Sequence, residues 1–129
     1  MTPLETLREA MQLAHAGRAD DAIARLSDCL KGVSRGFSKH DLALLARNAG
    51  LLCDHASRLQ ECIEYYERAL RLEPGDAHTL LALGDVYART GDSSRASRYW
   101  KLFEKAATRT QSPDTQELLE RYRSRQRRT

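Results

Sequence analysis

Cys53, His55 and Cys62 are the nearest approach to a reactive or metal-binding group in this chain of 129 residues. Thiols and an imidazole are zinc ligands, and a thiol with an imidazole is also the beginning of a cysteine nucleophile. The arrangement argues against both. Cys-x-His is not a spacing that zinc sites use, and a fourth ligand is missing. A nucleophilic thiolate needs an accessible, electropositive setting, whereas Cys29, Cys53 and Cys62 all sit inside apolar helical patterns. The odd count gives no disulfide framework, so the three read as buried thiols of a reducing compartment. No catalytic residue, metal or cofactor is expected, and the chain does not read as an enzyme.

Positive charge is the second candidate. Arg121, Arg123, Arg125, Arg127 and Arg128 fall in the last nine residues with no acid among them, and since the whole chain is +3 the remainder is close to neutral. Such a tail could hold RNA or DNA phosphates in a salt-sensitive, sequence-independent way. Only Tyr122 is interleaved for stacking, and arginines near a helix C-terminus also complement its dipole. A solvated helix end is the plainer reading, with a nucleic-acid-associated scaffold as the alternative.

These groups need a frame. Apolar residues make up 41% and charged residues 30% of the chain, with 3 Pro, which is the composition of a helix-rich globular protein of one domain, residues 1–129. Residues 1–13 interleave Glu5, Arg8 and Glu9 with apolar groups, unlike a signal peptide, and no window is apolar enough to span a membrane. A cytoplasmic location is the default expectation.

A shift of 34 residues lays Gly50 on Gly84, Tyr65 on Tyr99, Tyr66 on Trp100 and Cys62 on Ala96. An offset of 40 lays Ala16 on Ala56, Ala22 on Cys62, Ile23 on Ile63 and Leu26 on Tyr66, giving a third, more divergent copy. The repeats fall at about 3–36, 43–76 and 77–110. The pattern predicts helices at about 3–16, 19–31, 40–54, 58–72, 76–90, 93–108 and 113–126. Gly17, Gly75 and Gly91 mark turns, and Ser112-Pro113-Asp114 reads as a helix start with a capping hydroxyl. Residues 32–39, with Gly32, Ser34, Gly36 and Ser38, form the one longer loop and the expected hinge.

Gly50 and Gly84 lie in mid-helix, where glycine costs about 1 kcal/mol relative to alanine, so each needs a packing reason. Close helix crossing supplies it: Ala22, Cys62 and Ala96 are small where the partner helix crosses, and Leu26, Tyr66 and Trp100 fill the space beside them. Leu118, Leu119 and Tyr122 form an apolar stripe suited to covering the last hairpin.

Residues 77–109 carry L-x-x-L-G-x-x-Y, then T-G-D, then A-x-x-x-W through Leu80, Leu83, Gly84, Tyr87, Gly91, Ala96 and Trp100. In this the chain resembles the tetratricopeptide repeat (TPR) family. The preceding copy shares Gly50, Cys62, Tyr66, Ala69 and Leu72-Glu73-Pro74-Gly75-Asp76, with Cys53 in place of the usual aromatic and Ser57 in place of the turn glycine. The resemblance covers about residues 3–109. It implies an all-α, right-handed superhelical array of about three helix hairpins with a C-terminal capping helix.

It also implies a concave groove lined by the first helix of each repeat, here Leu7, Met11, His15, Arg47, Leu51, His55, His78, Leu81, Asp85 and Arg89. That mixture would suit an amphipathic or acidic peptide, through apolar burial and charge-assisted hydrogen bonds. The full Lys, Asn and Arg set by which some family members grip a C-terminal carboxylate is not present. The expected function is therefore an adaptor or chaperone-like module binding a protein or peptide. Phe103 stands where the repeat usually has a small residue, so the last hairpin is open to either the terminal helix or a second subunit, and a homo-oligomer stays possible.

Overall fold

The computed structural model describes residues 2–31 and 36–128, which places Gly32 and Ser34 of the expected hinge loop outside the described residues. Seven α-helices are described: α1 (Pro3–His15), α2 (Ala19–Lys31), α3 (Lys39–His55), α4 (Leu59–Leu72), α5 (Ala77–Arg89), α6 (Ser93–Arg109) and α7 (Pro113–Arg127). Every boundary lies within one residue of its predicted place. No strand occurs among the described residues.

Local chemistry sets the ends. Thr2 and Ser38 form reciprocal capping boxes with Glu5 and Asp41, starting α1 and α3. Asp76 accepts from the His78 N–H and the Thr79 hydroxyl to start α5, and Asp92 accepts from the Arg95 N–H to start α6. Ser112 departs from expectation, because its hydroxyl makes no cap hydrogen bond. Instead the Gln116 amide reaches back to the carbonyls of Ala107 and Thr110, satisfying the end of α6 across the turn.

Three helices end in the same way. Gly17 (φ +80°), Ser57 (φ +60°) and Gly91 (φ +88°) adopt the left-handed conformation after α1, α3 and α5. The next residue then donates its N–H to a carbonyl five positions back: Arg18 to Leu13, Arg58 to Cys53 and Asp92 to Tyr87. Ser57 is the only non-glycine residue with positive φ among the described residues, at the position where the sequence lacked its turn glycine.

The chain divides into two compact units, Met1–Pro74 and Gly75–Thr129. In the first, α1 pairs with α2 and α3 with α4, and both α1 and α2 pack on α3. Its core is closed by Ala10, Ala22, Leu26, Leu45, Ala46, Ala49, Cys53, Cys62 and Tyr66, all at most 2% exposed. In the second, α5 pairs with α6 and α7 lies against both. Leu83, Val86, Ala96, Phe103, Ala107, Leu119 and Tyr122 are buried there.

The two mid-helix glycines are explained by these crossings. A Cβ on Gly50 would stand 2.7 Å from two carbons of the Tyr66 ring, and one on Gly84 would stand 2.5 Å from Trp100 Cδ1 and 3.3 Å from the Ala96 carbonyl oxygen. At the corresponding register position of the divergent first hairpin, Ala10 is fully buried, and the position of the Tyr66 ring is taken there by the smaller Leu26.

Candidate partner-binding surface

On α1 and α3 the expected binding residues recur every four positions, Leu7-Met11-His15 and Arg47-Leu51-His55. Four residues advance a helix by a full turn plus about 40°, so each trio forms one gently drifting row. Leu51 is 42% exposed. Leu7, Met11 and Arg47 are half-buried, and His15 and His55 are exposed. The sequence reading missed Leu4. It lies three residues before Leu7, extends the same row, and is 60% exposed, the most exposed large apolar residue described. Its signal was the i, i+3, i+7 spacing of Leu4, Leu7 and Met11.

The first unit thus presents apolar side chains beside two imidazoles and a guanidinium. A row of this kind can bury apolar groups of a peptide and donate hydrogen bonds to its carboxylates or carbonyls.

In the second unit the α5 row is differently employed. His78 and Arg89 are exposed, but Leu81 is buried. The Asp85 carboxylate accepts from Trp100 Nε1 at 2.9 Å. It also takes the Arg125 guanidinium of α7 at 3.0 and 3.3 Å, and Arg125 lies over the rings of Trp100 and Tyr122 at 5.8 and 5.5 Å. Two members of the expected groove therefore serve the unit's own packing. Sequence register assigned Asp85 to the groove because it treated α7 only as an apolar cover and had no means of pairing residues 40 positions apart.

The same contacts divide the basic tail. Arg121 pairs with Glu117 at 2.7 Å and Arg125 with Asp85, while Arg123, Arg127 and Arg128 are exposed. Phe103 is fully buried, with Tyr122 edge-on to it at 5.2 Å, so the terminal helix occupies the opening that the sequence left between two candidates. Burial, followed by a hydrogen bond to Glu104, holds the Tyr122 phenol above its usual range.

Cys53 and Cys62 are buried as expected, but Cys29 is only partly so, since it falls at the edge of the α2 apolar stripe. Burial pushes the Cys53 thiol up to about 11, against a smaller opposing pull from the charge of Arg58. It is a protonated thiol at neutral pH, unsuited to nucleophilic attack. Arg58 is in turn bound by Glu61, whose carboxyl that hydrogen bond holds low, and by Asp20 at 2.9 Å, which ties α2 to the start of α4. Among the described residues no cluster of three or more His, Cys, Asp or Glu side chains could hold a metal ion, and no helix is long and apolar enough to cross a membrane.

No family model matches the sequence, and no curated protein matches it. Solved structures do. The type III secretion translocator chaperone SycD of Yersinia enterocolitica aligns with a TM-score of 0.78 at 13% identity, over 99% of this chain and 90% of that one. PcrH, solved in complex with the chaperone-binding region of PopD, aligns with a TM-score of 0.67 at 15% identity, over 95% and 92%. MamA from Desulfovibrio magneticus RS-1 aligns with a TM-score of 0.52 at 17% identity, over 86% and 78%. At such identities the likeness is one of fold. The chain has the all-α, TPR-like architecture of helix hairpins that these proteins share.

Proposed function

We propose that this protein holds another polypeptide, as a chaperone or adaptor, on the exposed row of α1 and α3. The observation that carries the reading is the exposure of Leu4 and Leu51 at 60% and 42% on a unit whose core is otherwise closed. Leu7 and Met11 continue the row, and His15, Arg47 and His55 supply polar contacts beside it. Such an arrangement is that of a surface that gains by being covered. His78 and Arg89 on α5 add to the set. Likeness to PcrH, whose structure contains a segment of its partner PopD, supports the reading through fold alone.

The test begins with a partner captured from lysate by the intact protein, identified, purified and titrated directly. Leu4→Asp with Leu51→Asp changes exposed positions only, so circular dichroism should be unaltered while affinity falls at least tenfold. Arg47→Ala with Arg89→Ala should weaken binding further for an acidic ligand. Undiminished binding by the Leu4/Leu51 variant, or loss only on deletion of residues 121–129, would remove the α1 and α3 row as the working surface.

A further inference from the structure

α6 carries Arg95, Arg98, Lys101, Lys105 and Arg109 against one acid, Glu104. Arg95 is paired with Asp92 at 3.1 Å, and Glu104 is turned to Tyr122 of α7. Arg98, Lys101 and Lys105, spaced three and four residues apart, form one exposed row along about 10 Å of helix. With Leu102, which is 41% exposed, and the short Ser94 and Ser97, they line a shallow open depression. Arg98 lies over the Tyr99 ring at 5.9 Å, and Tyr99 is itself stacked on Tyr87 at 5.6 Å, which restrains the guanidinium.

Cations at i, i+3 and i, i+4 on a helix repel one another. Elsewhere this chain relieves such charge with carboxylates: Arg18 with Asp21, Arg25 with Glu9, Arg58 with Asp20 and Glu61, Arg121 with Glu117 and Arg125 with Asp85. Among the described residues Lys101 and Lys105 make no hydrogen bond or ion pair, and Arg98 has only the Tyr99 ring. The charge calls for an acidic ligand, and the surroundings select its kind. Single-stranded nucleic acid stacks its bases on exposed aromatic rings, but Phe103 is buried, Tyr99 stacks on Tyr87, and Trp100 bonds Asp85. A membrane-seated helix puts a broad apolar face into the lipid, whereas that face of α6 is in the core and Leu102 is its one exposed large apolar residue. An acidic amphipathic helix meets both features. Carboxylates one turn apart reach the cations, an apolar side chain covers Leu102, and the small Ser94 and Ser97 admit its backbone closely.

We propose that the α6 row docks an acidic amphipathic helix of a partner polypeptide, with carboxylates on Arg98, Lys101 and Lys105 and an apolar residue over Leu102. The contact is exposed and charged, hence salt-sensitive. It is separate from the α1 and α3 row and does not rest on it.

Fluorescence anisotropy tests this, with the full chain titrated into a labelled, alanine-rich helical peptide of about 18 residues. The peptide carries glutamates at i, i+3 and i+7 and a leucine at i+4. At low salt it should bind saturably, and at least tenfold more weakly when glutamine replaces the glutamates or when the same residues are spread around the helix. Lys101→Glu/Lys105→Glu should reverse the preference, releasing the glutamate peptide and binding its lysine counterpart, with circular dichroism unchanged. Leu102→Ala should weaken binding severalfold, and Leu4→Asp/Leu51→Asp should leave it unaltered. Failure of the glutamate peptide to bind in low salt overturns the proposal. So does equal binding of the spread version, which would reduce the contact to bulk charge attraction. Tighter binding of oligothymidylate, lost in the same lysine variant, would give the row to nucleic acid and overturn it as well.

Discussion

Arg125, near the end of the chain, forks onto the carboxylate of Asp85 on α5 with both terminal nitrogens, at 3.0 and 3.3 Å. The same guanidinium lies over Trp100 and Tyr122, so one side chain joins α7 to both helices of its hairpin. The side chains are 47% and 36% exposed, which limits the ion pair to about 1 kcal/mol. Each stacking contact at such a site adds about 0.5 kcal/mol or more. Arg125→Ala should therefore cost the second unit about 2 kcal/mol in urea denaturation, and a double-mutant cycle with Asp85→Ala should return a coupling of about 1 kcal/mol. Arg127→Ala, at an exposed position on the same helix, should change stability by less than about 0.5 kcal/mol.

Alanine is the better helix former, by about 1 kcal/mol over glycine, yet at Gly84 it should destabilise. Its Cβ would stand 2.5 Å from Trp100 Cδ1, on a ring held by the Asp85 hydrogen bond, and 3.3 Å from the backbone oxygen of Ala96. Overpacking of this kind costs about 1–3 kcal/mol. Gly84→Ala should come out destabilising by about 1–2 kcal/mol net, with a smaller loss for Gly50→Ala, whose three nearest atoms all belong to the Tyr66 side chain and none to backbone. Thermal or urea unfolding of the two variants measures the difference. Equal or raised stability in Gly84→Ala would show that the helices separate readily at the crossing.

Much of the fold was legible because its causes are local or periodic. Gly50 with Tyr66 and Gly84 with Trp100 are small-and-large pairs repeated at 34 residues, and capping residues such as Asp76 and Asp92 lie beside the elements they begin. The candidate surface was less legible. Exposure depends on what packs over a row, and the row of Leu81 and Asp85 is built like that of Arg47 and Leu51 yet is taken up within its own unit, Asp85 by Trp100 and Arg125. Ser112 illustrates a different limit. A hydroxyl at the right place is only one of the groups able to satisfy a turn, and the Gln116 amide, four residues on, satisfies its carbonyls instead.

Ser57 holds φ at +60° where Gly17 and Gly91 take the same role at +80° and +88°. A side chain in that region crowds its own carbonyl, at about 1 kcal/mol or more, while glycine adopts it freely but has more entropy to lose on folding. The strain is the larger quantity. Ser57→Gly should raise the stability of the first unit by about 0.5–1 kcal/mol, and Gly91→Ser should lower that of the second by a similar amount. Denaturant midpoints compared at unchanged slope give both values. A loss in Ser57→Gly would mean that the serine hydroxyl supplies something the backbone geometry does not.

Cys53 makes the stability of the first unit depend on alkaline pH. Its thiol is fully buried, and burial raises the pKa from 9.0 to about 11 in the folded chain. Because the neutral form is the one the core accepts, the folded state keeps its proton after the unfolded state has released it. Between about pH 9 and pH 11 the unfolded chain binds fewer protons, so stability must fall as pH rises through that window. Below pH 9 this contribution is fully present. Its ceiling is about 3 kcal/mol, approached as the pH passes 11. Cys53→Ala removes the titration and some packing together, so it should be less stable at neutral pH but show a shallower decline above pH 9. Unfolding curves at a series of pH values, for both proteins, separate the two effects by slope and offset. Identical slopes would mean that the thiol is as accessible to hydroxide in the folded chain as in the unfolded one.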